Sequence, residues 1–132
     1  MISDYIANCT YDICVSSFIY GDLYTMMYRE THAGAQVVYI RSEYCKSFSQ
    51  FFHEIATALR FPNYFGMNFN AFDDCITDLE WLKFNSIFIV LDDFSKMFNG
   101  NSSDQDAVCY HLRLAMEYWK SQGVPFKVLL NN

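Results

Sequence analysis

The chain has 132 residues, with nine Lys+Arg, fifteen Asp+Glu, 52% hydrophobic and 19% aromatic residues, five Gly and two Pro. That length suits one domain with a real core, and the composition excludes a disordered or collagen-like chain. A net charge of −6 argues against holding nucleic acid by its phosphates, and residues 61–94 concentrate it: Asp73, Asp74, Asp78, Glu80, Asp92 and Asp93 stand against Lys83 alone, five of the six net negative charges.

In chain order, residues 1–34 form an extension in which Ile13–Tyr20 and Leu23–Arg29, divided by Gly21-Asp22, are expected to make a β-hairpin at a sheet edge. Gln36–Ile40 is β-branched and aromatic and reads as a strand. Ser47 and Gln50 have capping-box spacing, and Phe48, Phe51, Phe52, Ile55 and Leu59 recur at helical intervals, so a helix is expected over 47–60, ended by Pro62. Residues 63–68 form a loop in which Gly66 can supply a positive φ and Asn68 an N-cap.

A second helix is expected from Phe69 to Trp81. Phe69, Phe72, Cys75, Ile76 and Leu79 face inward; Asn70, Asp73, Asp74, Thr77 and Glu80 face outward. Ser86–Leu91 is apolar throughout, as a strand buried on both faces must be. A short helical turn over 93–98 and a loop over 99–103 precede a helix over 104–122, with Val108, His111, Leu112, Ala115 and Trp119 on its inner stripe and Gly123 beyond its end. Phe126–Leu130 closes the chain as a strand. From residue 35 the order is β-α-α-β-(α)-α-β, which right-handed crossovers turn into an α/β fold with a small parallel sheet against helices.

The stretch from Phe61 to Leu79 resembles the barstar family of ribonuclease inhibitors. The family's pattern falls on Phe61-Pro62, Tyr64-Phe65, Gly66, Asn68, Asn70-Ala71 and Asp74-Cys75-Ile76-Thr77. The resemblance implies a barstar-like core over 35–132 within a single domain over 1–132. It also implies a non-catalytic immunity protein whose loop and second helix plug the active site of a basic ribonuclease toxin, one to one. Its carboxylates would stand in for RNA phosphate, since a rigid carboxylate offers two acceptors to an Arg fork and no scissile bond.

Asp74 is the leading interface residue on this resemblance, with Tyr64 packing on the partner. Gly66, Asn68, Asn70, Asp73, Thr77, Asp78, Glu80 and Tyr118 complete the expected surface. Phe65 is expected to be buried and Tyr64 exposed. Asn70 replaces an acid of the family's best-known member, and Asp73 replaces an aromatic anchor. Tyr118 and Gln122 stand where that member has glutamates, which implies a partner other than barnase.

Two other readings compete. A metal-dependent hydrolase would use Asp73, Asp74, Asp92 and Asp93 with Mg²⁺. A general interaction module would bind a partner that is not a nuclease. Asp92-Asp93 are either a second acidic rim or an ordinary strand-to-helix turn. No cofactor, metal, nucleic acid or membrane is expected, nor any catalytic residue. His53-Glu54 lacks the second His of a zinc helix, because position 57 is Thr, and His111 reads as a core histidine satisfied by a neighbour. The start carries Asp4 and no basic segment, and the five cysteines include no C-x-x-C pair; reduced thiols in the cytoplasm are the expectation.

Overall fold

The computed structural model describes residues 11–132. Among the described residues four strands, β1 (Ile13–Ser16), β2 (Ala35–Arg41), β3 (Ser86–Asp92) and β4 (Phe126–Asn131), make one parallel sheet in the order β1-β4-β3-β2. Four α-helices accompany them among the described residues: α1 (Tyr20–His32), α2 (Phe48–Leu59), α3 (Phe69–Ile76) and α4 (Ser102–Ser121). Two 3₁₀ segments, Ser42–Tyr44 and Phe94–Gly100, follow β2 and β3. The α/β class and the element order from residue 35 onward agree with the sequence reading.

Strand β3 is buried through six consecutive residues, Ser86 to Leu91, because both faces of the sheet are covered. Successive side chains on a strand point to opposite faces. Ile87, Ile89 and Leu91 join the large core with α2, α3 and α4, whereas Phe88 and Val90 pack with Leu129 against Leu23 and Met26 of α1.

The expected hairpin over 13–29 is not formed. Ile13–Ser16 does extend the sheet at one edge, but it pairs with β4, and Gly21-Asp22 lie in the first turn of α1. Leu23, Met26, Met27 and Glu30 recur at helical spacing, and burying the first two on the sheet outweighs the turn signal of Gly-Asp. Lys127 of β4 donates to Glu30 of α1 at 2.8 Å, a pair only about one-seventh exposed.

Helix α2 starts where Ser47 Oγ accepts from Gln50 N. Gln50 Oε1 in turn accepts from Lys46 N, one residue before the cap. The helix ends at Leu59, three residues before Pro62. Arg60 turns left-handed (φ 54°), its N–H reaches Thr57 O, and Phe61 N reaches Ala56 O, the Schellman pattern built without glycine.

Cys45, Cys75 and Cys109 are free and buried. Burial pushes the Cys45 thiol up to about 11 and raises the other two as well. Cys14 is disulfide-bonded, so reduced thiols do not describe every cysteine; Cys9 lies outside the described residues. No helix of the described residues is long and apolar enough to cross a membrane.

Candidate functional site

The loop after α2 is held by its aromatic residues. Phe65 N donates to Pro62 O at 3.0 Å, closing a turn across residues 62–65. Phe61 and Phe65 meet edge to face at 5.0 Å and pack on the core, Phe65 remaining half-buried rather than buried. Tyr64, between them, is therefore forced outward and stands 75% exposed.

The positive φ expected at Gly66 belongs to Met67 (φ 55°). Gly66 serves close approach: its carbonyl accepts from Asn68 Nδ2, and a Cβ there would lie 3.1 Å from that nitrogen. Asn68 Oδ1 then caps α3 by accepting from Ala71 N at 2.8 Å, as its position suggested.

Helix α3 ends at Ile76, five residues before the expected boundary. Thr77 closes it, its hydroxyl donating to Asp73 O at 2.7 Å, and Leu79 adopts a left-handed backbone (φ 51°) that no helix can continue. Leu79 is buried all the same, so the apolar stripe runs on through a turn that is no longer helical. Asn70, Asp73 and Asp74 thus share α3 and Thr77 its cap, whereas Asp78 and Glu80 belong to the turn beyond. Glu80 does not share the helical face assigned to it.

Eight residues are too few for a helix to be stable alone. Three attachments hold α3. Phe72 and Ile76 sit fully in the core. Trp119 of α4 donates its Nε1–H to Ile76 O at 2.8 Å, at the helix's last residue. His111 of α4 places Nδ1 2.8 and 3.0 Å from the two oxygens of Asp73, while its ring stacks on Phe69 at 4.1 Å and 10°.

The outward face of α3 therefore carries two unlike carboxylates. Asp73 is half-buried and engaged by His111. Asp74 is exposed, and among the described residues it makes no ion pair. Asp74 and Asp78 lie close enough to Cys75 to add, after burial, to the rise in its thiol pKa. Tyr118, on α4 beside Trp119, is partly exposed.

Asp92 does not join this surface. It is two residues beyond Val90 and shares that residue's face, the one covered by α1, while α3 covers the other. Its Oδ2 accepts from Tyr39 OH and its Oδ1 from Asn131 Nδ2 and Asp93 N. Burial first, and then that hydrogen bond, push the Tyr39 hydroxyl well above the ordinary tyrosine range. Asp92 thus ties three strand ends together. Among the described residues no three His, Cys, Asp or Glu side chains converge as a metal site would require, and Asp73, Asp74, Asp92 and Asp93 are not gathered into one.

His111 and Phe69 are site residues that the sequence alone did not mark. His111 is satisfied by a neighbour, as expected, but that neighbour is Asp73 on the outward surface rather than a group in the core. The hint lay in Asp73 itself: an acid in place of an aromatic anchor needs a new contact, and an inward-facing histidine nearby can supply it.

The family model described as Barstar (barnase inhibitor) matches residues 35–131, from the start of β2 to the end of β4. No curated protein sequence matches the chain. The matched span holds the aromatic loop, the short capped helix and the α4 clamp just described, and the chain belongs to the barstar family.

Proposed function

We propose that this protein is an immunity protein that binds a basic ribonuclease toxin one to one and covers its active site with α3 and the loop before it. One observation carries the reading: Asp74 is exposed and, among the described residues, without an ion pair, on a short helix clamped at both ends, and the loop before that helix exposes the ring of Tyr64. A ribonuclease cleft holds phosphate with Arg, Lys and His donors, and a fixed carboxylate meets such donors with little ordering cost. Tyr64, Gly66, Asn68, Asn70, Asp73, Asp74, Thr77, Asp78 and Tyr118 form the proposed contact surface, with Glu80 at its margin. His111 joins as a positioning residue.

The protein acts by occlusion rather than catalysis, and the compartment in which it meets the toxin is the cytoplasm, where the RNA is. Residues 1–132 are proposed as one domain, the extension being joined to the core by β1, the α1 packing and the Lys127–Glu30 pair. Co-purification from the native host, identification of the captured protein by mass spectrometry, and a fluorogenic RNA cleavage assay on it test the reading. A captured ribonuclease that this chain silences at equimolar ratio supports it. A captured partner without ribonuclease activity sinks it.

A further inference from the structure

Helix α1 lies outside the family-matched span and carries a row of aromatic side chains that neither the core nor the inhibitory surface uses. Tyr20, Tyr24, Tyr28 and His32 recur every four residues, and their rings follow one another at 6.4, 6.4 and 4.3 Å. The three tyrosines are 59, 56 and 55% exposed, and Ile19, just before them, is 72% exposed. Beside this ridge runs a shallow groove of about 400 Å³ lined by Tyr24, Met27, Tyr28, Thr31 and Tyr39 among others. We infer that this face is the contact between two copies of the chain.

Three features commit the face to a second copy. A two-fold interface needs a surface that is its own complement, residue i meeting j and j meeting i. The row is symmetric about Met26: an antiparallel copy sets Tyr24 against Tyr28 of its mate and Tyr20 against His32, so each ridge of four-residue spacing meets the groove beside the other.

The area is also of the right order. At roughly 200 Å² per large side chain, the exposed parts of the three tyrosines and Ile19 come to on the order of 500 Å². That is below the roughly 800 Å² per partner of a standard interface and of the size that weak association uses, in keeping with a micromolar dimer. Charge permits the contact as well. On a chain of net charge −6, the exposed residues of α1 include no acid: Asp22 and Glu30 are half-buried, and Glu30 is taken by Lys127.

The sheet separates this face from α3. A dimer through α1 therefore leaves both acidic helices pointing outward. If the proposed function holds, each dimer accepts two ribonucleases, one per copy. Self-association itself does not depend on that reading.

Sedimentation velocity of the full chain from about 1 to 300 µM is the test. The 15.5 kDa monomer should give way to a dimer of about 31 kDa with a Kd of about 10–100 µM. Tyr24→Ala and Tyr28→Ala should each raise that Kd at least tenfold, with unchanged circular dichroism since both residues are exposed. Tyr110→Ala, which removes an equally exposed ring from α4, should leave it unchanged. Raising NaCl from 0.05 to 0.5 M should not weaken the dimer. A monomer throughout the range overturns the inference. So does a dimer indifferent to Tyr24→Ala and Tyr28→Ala, or one that salt dissociates.

Discussion

Because α3 is short, its shape rests on its clamps, and Trp119→Phe isolates one of them. The substitution keeps an aromatic ring in the α3–α4 contact but removes the Nε1–H that meets Ile76 O at 2.8 Å. Trp119 is 8% exposed and Ile76 is fully buried, so the carbonyl gains little water in exchange. An unsatisfied buried acceptor costs about 1–3 kcal/mol, and the smaller ring forfeits roughly 1 kcal/mol of packing. A total loss of about 3 kcal/mol should lower Tm by about 12 °C in a domain of this size.

Native-state hydrogen exchange then locates the loss. Amides of α3 from Phe72 to Ile76 should lose protection by more than those of Ile87 and Ile89 in β3, because the helix gains a local opening that the strand does not share. Trp81→Phe is the matched comparison. It removes the Nε1–H that meets Leu59 O at 2.9 Å and should loosen the end of α2 while sparing α3. Equal loss of protection in α3 and β3 under Trp119→Phe would refute the claim that this bond specifically holds the helix.

Four further outcomes follow from the same geometry. Asp74→Ala should weaken ribonuclease binding by more than about 2 kcal/mol, roughly thirtyfold in Kd by calorimetry, while leaving Tm within a degree or two; barnase–barstar is itself the type case for charged contacts of this size, and an unchanged Kd removes the central claim. Association with the ribonuclease should slow as salt rises in stopped-flow measurements, and a salt-independent rate would make the acids mere solvated surface. Arg60→Gly should stabilise the protein by about 0.5–1 kcal/mol in urea melts, since glycine relieves the left-handed strain at the end of α2. Stability should fall between about pH 9 and pH 11, because the unfolded chain gives up the Cys45 proton while the folded chain keeps it to about 11; the slope is about 1.4 kcal/mol per pH unit for that one thiol, and Cys45→Ala should flatten it.

Where burial and local chemistry agree, the sequence was readable. Ser47 and Asn68 are polar caps set before apolar periodicity, and both cap as expected. The run from Ser86 to Leu91 is apolar because both its faces are covered, and that too was legible. The errors arise where periodicity and backbone part company. Leu79 keeps the apolar stripe of α3 going, but hydrophobic spacing registers burial and is blind to φ, so the spacing runs five residues past the helix's end at Ile76. In α1, Tyr20, Tyr24 and Tyr28 are β-formers on an exposed helical face, and Gly21-Asp22 mimics a hairpin turn; only the sheet beneath Leu23 and Met26 decides for helix. The His111–Asp73 pair joins residues 38 apart, a contact with no local signature.

The acidity of residues 61–94 takes on a different meaning once the sheet divides it. Six acids that are neighbours in sequence are sorted by strand alternation and helix length into different surroundings. Asp92 is spent on Tyr39 and Asn131, and Asn131 in turn holds Ser16 Oγ and both backbone groups of Phe18, so this carboxylate helps fasten the extension to the ends of β3 and β4. Asp73 is engaged by His111, whose Nδ1 lies 2.8 and 3.0 Å from its two carboxylate oxygens. Net charge therefore overstates the proposed contact surface, whose exposed carboxylates on and just after α3 are Asp74 and Asp78, with Glu80 at the margin. A binding face of so few free carboxylates must depend on their exact placement more than on their number. That is why the clamps on α3, rather than further acids, are what a partner's affinity should feel most.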